Sequence, residues 1–258
     1  MEKKTIYYHD LVNDDFAVNR TKNYQINDDF KYIHKNIFFR FFSFILYHII
    51  AIPIFFFILK IKYRVKVYNK KAIKPLKKTG YFVYMNHTQN IIDAFMNQTL
   101  LFKKKGYLIA NNSVYSLKGI KTIVNMLGCL PTPNNMVQSK KLFDAIKYYI
   151  DKNKIVVVLP EAHIWPYYND IRPFLDHGFI FPATLNKPIV TATVVYRKNK
   201  NENKPPYISI YVSNPIYPKS NVSIKENQQY LRDESYKFMK EMVTKNNSYE
   251  FVHYEQKN

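Results

Sequence analysis

A chain of 258 residues with a 47% hydrophobic composition supports one substantial α/β domain plus an appended segment, which excludes global disorder. Its formal charge of +20, from 39 Lys and Arg against 19 Asp and Glu, calls for an anionic partner: nucleic acid, an anionic membrane surface or phosphorylated small molecules. Cys129 is the single cysteine, so an intramolecular disulfide and a thiolate zinc site are both excluded.

Residues 1–36 are polar and mixed in charge, and no short apolar run follows a basic start. They read as an irregular or weakly helical cytoplasmic leader, not as a cleavable signal peptide. Phe41 to Leu59 (FFSFILYHIIAIPIFFFIL) then carries no formally charged residue and nearly reaches the roughly 20 residues that cross a bilayer. His48 and Pro53 interrupt the run, so it is compatible with a spanning helix and with a kinked, re-entrant or interfacial pair. Apolar side chains occupy nearly every turn face, more than one side of a soluble core hides, and a membrane-associated segment over 37–60 is expected. Lys60 to Lys78 holds nine Lys or Arg and no acid. Basic residues beside an apolar segment mark the cytoplasmic face of a membrane and attract anionic lipid. Nucleic acid competes for that charge, but no nucleic-acid fold motif accompanies it.

Tyr63 to Tyr68 (YRVKVY) alternates as a half-exposed strand does, and Tyr81 to Met85 (YFVYM) after Gly80 reads as a buried one. A helix capped by Asn90 or Asp93 should run to about Lys103. Tyr107 to Ala110 is expected as a strand and Ser116 to Met126 as a short helix. Val137 to Asn153 places Leu142, Ala145, Ile146, Tyr149 and Ile150 at helical spacing. Ile155 to Leu159 (IVVVL), Ile189 to Tyr196 and Tyr207 to Val212 read as strands, and Glu226 to Lys245 as a C-terminal helix. Strands alternating with helices define an α/β class with a mostly parallel central sheet flanked by helices, preceded by the membrane-associated helical segment.

Two constellations carry chemistry. Asn86 and His87 follow the YFVYM strand, and Asp93 comes six positions after His87. The carboxyl edge of a parallel sheet is where α/β proteins place their sites. A histidine there takes a proton near neutral pH, and a carboxylate on its other nitrogen fixes the tautomer. Six steps of about 100° keep the two off a common helix face, so His87 belongs in the turn and Asp93 on the helix. The bland alternative is a structural histidine beside an Asp that satisfies backbone amides. Glu161 ends the IVVVL strand after Pro160, with His163, Trp165, Tyr167, Tyr168 and Arg172 downstream. That mixture suits a polar headgroup, and Arg172 can hold a phosphate bidentately or stand as an ordinary surface arginine.

Together these segments resemble the glycerolipid acyltransferase family, which includes 1-acylglycerol-3-phosphate acyltransferases. The family's strand-then-NHxxxxD block is matched by Asn86 to Asp93, its glycine-centred second block loosely by Leu127-Gly128-Cys129-Leu130-Pro131. Its F-P-E-G-T-R block is matched by Leu159-Pro160-Glu161-Ala162, with Pro173-Phe174 and Gly178 downstream, and its proline-led strand by Lys187-Pro188-Ile189-Val190. The order holds over residues 60–215. Five residues separate His87 from Asp93 where the family has four. Ala162 and Ile164 stand where the family has glycine and arginine, and Pro131-Thr132-Pro133 where an arginine ends the second block. Both losses fall on groups the family uses for the acceptor's phosphate.

The resemblance implies direct acyl transfer without an acyl-enzyme, metal or cofactor. His87 deprotonates the acceptor hydroxyl and Asp93 orients it, with Asn86, Gly128, Glu161, His163 and Arg172 at the substrate. The donor is acyl-CoA or acyl-ACP, and the acceptor is a lysophospholipid or glycerol-phosphate-type hydroxyl of phospholipid biosynthesis. With the segments read above, the expected organisation is a 1–36 leader, a 37–60 membrane segment and a 61–258 acyltransferase domain on the cytoplasmic face of a membrane. The rival is a non-catalytic lipid-binding protein on an acyltransferase scaffold. A metal site from His87, Asp93, Glu161 and His163 is a further alternative.

Overall fold

A computed structural model of the protein describes residues 4–17, 24–89, 93–95, 104–116, 119–246 and 248–257. Strand β1 (Lys4–Tyr8) opens the chain, and helix α1 (Ile37–Lys62) follows the leader. Then come β2 (Lys66–Tyr68), a 3₁₀ turn over Lys70–Lys78, β3 (Tyr81–Met85), β4 (Gly106–Ala110), α2 (Lys121–Met126), β5 (Cys129–Pro131), α3 (Met136–Asp151) and β6 (Ile155–Val158). The chain ends with α4 (Ile180–Leu185), β7 (Ile189–Arg197), β8 (Tyr207–Val212), α5 (Ile224–Lys245) and β9 (Val252–Gln256).

Seven strands form one sheet in the order β2-β8-β7-β3-β6-β4-β5, parallel throughout except for the antiparallel β7–β8 pair. The central strands are apolar on both faces because both are covered. Phe82, Tyr84, Val156 and Val158 face α3, α4 and α5, through Leu142, Ile146, Phe179, Leu231 and Met239. Val83, Met85, Ile155 and Val157 face the other way, onto Leu59, Tyr63, Val65 and Leu76. Asn135 caps α3 by accepting the Gln138 amide, and Ser223 with Glu226 forms a capping box on α5.

The apolar run forms one helix, not a pair broken at Pro53. Stretches closed by π-type i→i+5 bonds, Ile45–Ala51 and Ile58–Lys62, flank the α-helical stretch containing Pro53. Those wide turns have a packing consequence. Ser43, Tyr47, Ala51 and Leu59 are buried and Phe55 stacks on Phe95 at 3.9 Å, an inward stripe spaced by four residues. In a pure α-helix such a stripe drifts about 40° per step, so the π turns keep it on one face. Tyr47 Oη accepts the Gly106 amide at 3.0 Å, and Ser43 Oγ donates to the Met126 carbonyl at 2.7 Å. Phe38, Phe41, Phe42, Ile49, Phe57 and Ile61 remain outside, more than half exposed.

The expected YRVKVY strand is shorter, because Val65 still donates to the Leu59 carbonyl and Arg64 is left-handed (φ 44°), so pairing starts only at Lys66. The expected Ser116–Met126 helix is confined to α2, preceded by a 3₁₀ turn at Asn112–Ser116 and by Gly119 at φ 81°. Asn90 and most of the expected helix to Lys103 lie outside the described residues, with a helical turn seen at 93–95. Three strands were not anticipated in the sequence: β5 at the sheet edge, and the pair β1 and β9. β1 and β9 pair in parallel as a separate ribbon, Lys4 opposite Val252 through Tyr8 opposite Gln256.

Candidate active site

β3 delivers Asn86 and His87 to the carboxyl edge of the sheet. The Asn86 side chain then acts as one more rung of the ladder: its amide donates to the Val194 carbonyl at 3.1 Å and its oxygen accepts the Val194 amide at 2.8 Å. A side-chain rung lets the main chain turn away from the sheet at His87 while the edge of β7 stays satisfied. Asn86 is fully buried and both ends of its amide are used on Val194.

His87 Nδ1 lies 2.9 Å from Asp93 Oδ2. The same oxygen accepts the amides of Thr88 at 2.9 Å and Gln89 at 2.8 Å. Asp93 donates its own amide to the Gln89 carbonyl at 3.2 Å, so it sits in a first helical turn and reaches back over its start. Convergence of three N–H groups on one oxygen closes the longer His-to-Asp interval. Asp93 is fully buried, and its Oδ1 has no hydrogen-bond partner among the described residues. Burial pushes the carboxyl pKa up, against the hydrogen bonds from His87, Gln89 and Thr88 that hold it down. An Nδ1–H bonded to this carboxylate leaves the lone pair on Nε2, the arrangement of a general base.

The turn is braced from below. Tyr196 Oη donates to Thr88 Oγ1 at 2.7 Å and receives Gln89 Nε2 at 2.9 Å, and Tyr196 is fully buried in its strand. Burial and the Asp93 charge both push the phenol pKa well up, so it stays protonated as a donor. Nothing in the strand's alternation marks Tyr196 as different from its neighbours.

Glu161 sits behind the histidine. Its Oε2 accepts the His87 amide at 2.8 Å and its Oε1 accepts the Arg172 amide at 2.9 Å, with the side chain buried. Arg172 is 1% exposed. Its guanidinium donates to the carbonyls of Leu11 (3.2 Å), Glu161 (3.3 Å) and His163, lies 3.9 Å from Glu161 Oε2, and stands 4.9 Å over the Trp165 ring. The guanidinium is thus enclosed and ties Leu11 to the 161–172 loop. Trp165, fully buried, is also structural: its main-chain amide donates to the His87 carbonyl at 3.2 Å. His163 is partly exposed, with Nδ1 3.6 Å from Asp15 Oδ2. Ile164 is buried where the family block has arginine, and Ala162 keeps a left-handed backbone (φ 60°) where the block has glycine.

Gly128 is elsewhere. It precedes β5 at the amino edge of the sheet, opposite the edge that carries His87, and a Cβ there would meet the Gly106 carbonyl oxygen at 2.7 Å. Its φ of 91° and that close approach give it a structural reason to be glycine. Among the described residues no cluster of three or more His, Cys, Asp or Glu is arranged to hold a metal.

The fold is thus an α/β domain whose mostly parallel sheet carries a His–Asp pair at its carboxyl edge. The family model described as Acyltransferase matches residues 64–195, half of the chain, and the chain belongs to that family: it is an acyltransferase. The fold is shared with the crystal structure of the 1-acyl-sn-glycerophosphate (LPA) acyltransferase, PlsC, from Thermotoga maritima. The TM-score is 0.59 at 16% identity, over 82% of this chain and 88% of that one. No curated protein matches the chain in sequence.

Proposed function

We propose that the protein transfers a fatty acyl group from an acyl thioester, acyl-CoA or acyl-ACP, to the hydroxyl of a lysophospholipid or glycerol-phosphate-type acceptor in phospholipid biosynthesis. The observation that carries this reading is the His87 ring held 2.9 Å from a fully buried carboxylate. Nε2 of His87 takes the acceptor's proton as its oxygen attacks the thioester carbonyl. Asp93 holds the tautomer and stabilises the imidazolium. Collapse of the tetrahedral intermediate expels the thiolate, which recovers the proton from His87. Glu161 positions the histidine's main chain, and His163 is the polar side chain placed beside the headgroup. The step uses no metal or cofactor.

The membrane is the source of the acceptor in this reading. Contacts from Ser43 to Leu59 hold α1 against the domain along its length, so the helix lies in the interfacial plane with its outer phenylalanines and isoleucines in lipid. The lysines of 60–78 hold anionic headgroups on the cytoplasmic side, at about 1 kcal/mol per nearby charge. The 1–36 leader, the 37–60 membrane segment and the 61–258 catalytic domain then share one orientation.

The test is acyl transfer by purified, detergent-solubilised protein with both donors against a panel of lysophospholipids, wild type beside His87→Ala. We expect diacyl product from the wild type and a loss of at least about a hundredfold in the variant. Equal inactivity of both, with lipid binding retained, would favour the non-catalytic lipid-binding scaffold.

A further inference from the structure

We propose that Asp15 and Phe16 of the leader are positioning residues for His87, strapping down the loop that fixes the histidine's main chain. Both lie outside the family match, which starts at residue 64. The inference rests on the reading of His87 as the base.

The strap is built from several independent contacts. Asp15 Oδ1 accepts the Ile164 amide at 3.3 Å, and the Phe16 amide donates to the Ile164 carbonyl at 3.1 Å, a strand-like rung between leader and loop. Asp15 Oδ2 faces His163 Nδ1 at 3.6 Å. The Asp14 carbonyl accepts Trp165 Nε1 at 2.8 Å, and the Leu11 carbonyl accepts the Arg172 guanidinium at 3.2 Å. The Phe16 ring meets Trp165 edge-on at 5.2 Å, and Tyr8, Tyr168 and Tyr254 close around the same indole. The leader is itself anchored, because β1 pairs with β9 along its whole length.

The other side of this loop bonds the catalytic turn. The Trp165 amide donates to the His87 carbonyl at 3.2 Å, the Tyr167 amide to the Thr88 carbonyl at 3.0 Å, and Glu161 accepts the His87 amide at 2.8 Å. Loop residues 161–167 therefore have two sides, one on the leader and one on the histidine. Releasing the leader leaves the chemistry groups in place but lets the turn move. A displacement near 1 Å at a reacting group costs up to about 10²-fold in rate without removing any group that binds substrate. The effect belongs in kcat.

Trp165 is the only tryptophan in the chain, so its emission reports on the strap directly. The experiment compares full-length wild type, Asp15→Ala, Phe16→Ala, Phe16→Tyr and His87→Ala, reading kcat, KM for donor and acceptor, Trp165 emission and the thermal midpoint. For the two leader alanine variants we expect red-shifted emission, a kcat lowered about 10–100-fold and KM values within about twofold of wild type, assayed well below their midpoints. Phe16→Tyr keeps the ring and should keep kcat. A kcat within about twofold of wild type in both alanine variants, with His87→Ala inactive, would overturn the strap alone. An active His87→Ala would instead overturn the reading on which the strap depends.

Discussion

Asp93→Asn isolates the charge in the His–Asp pair while keeping the shape. The amide oxygen can still receive the Thr88 and Gln89 amides that bond the carboxylate at 2.9 and 2.8 Å. What disappears is the negative charge facing the imidazolium. With charge centres about 4 Å apart and an effective dielectric of about 20, that attraction is roughly 4 kcal/mol. At 1.36 kcal/mol per decade the loss is about 10³ in kcat, inside the 10²–10⁴ range for general-base catalysis. The opposite flip, with the NH₂ in the Oδ2 position, would donate to Nδ1 and select the tautomer with a proton on Nε2, but it would face the Thr88 and Gln89 amides donor to donor and is disfavoured. The assay follows thiol release from acyl-CoA with a competent lysophospholipid, on protein shown to be folded by its thermal midpoint. A kcat within about tenfold of wild type in Asp93→Asn, with His87→Ala inactive, would refute the reasoning: the carboxylate would then be holding the turn and not the proton.

Three further outcomes follow from other parts of the structure. Lys105 sits under α1, its ammonium donating to Ser43 Oγ and the Met126 carbonyl at 2.6 Å each, and burial with nearby Lys154 lowers its pKa from 10.5 to about 8. Its folded pKa lies below its unfolded one, so stability rises as pH climbs from about 8 to 10.5 and is lost as pH falls through 8; Lys105→Met should flatten the thermal midpoint across that window. Ala162→Gly relieves a left-handed alanine and should raise stability by about 0.5–1 kcal/mol with kcat unchanged, a fall in thermal midpoint being the contrary result. Replacing the exposed Phe41 and Phe42 by Glu removes two apolar anchors, and co-sedimentation with anionic vesicles should weaken about a hundredfold or more while activity on a detergent-dispersed acceptor persists.

The sequence was most readable where a strand is buried on both faces. YFVYM and IVVVL could scarcely be anything else, and α3 announced itself through Leu142, Ala145, Ile146, Tyr149 and Ile150. β5 is three residues long at the sheet edge and carries no pattern, and β1 and β9 are half-exposed strands that make sense only as each other's partners. The same limit governs the site. His87 and Asp93 are close in sequence, and local geometry brings them together. The enclosure of Arg172 was not legible because it depends on Leu11, 161 positions away, which no local pattern encodes. Gly128 was placed with the substrate by its block, yet its need for glycine arises from the Gly106 carbonyl across the strand pair.

The β1–β9 ribbon has a consequence for the order in which the protein is made. Its two strands lie roughly 240 residues apart, so β1 waits for β9 to be made. At about 5–20 residues per second that wait is on the order of 12–50 s, during which α1 has emerged and can already meet a bilayer. Pairing of β1 therefore comes after α1 is free to fold, and the leader strand is fastened only once β9 has emerged.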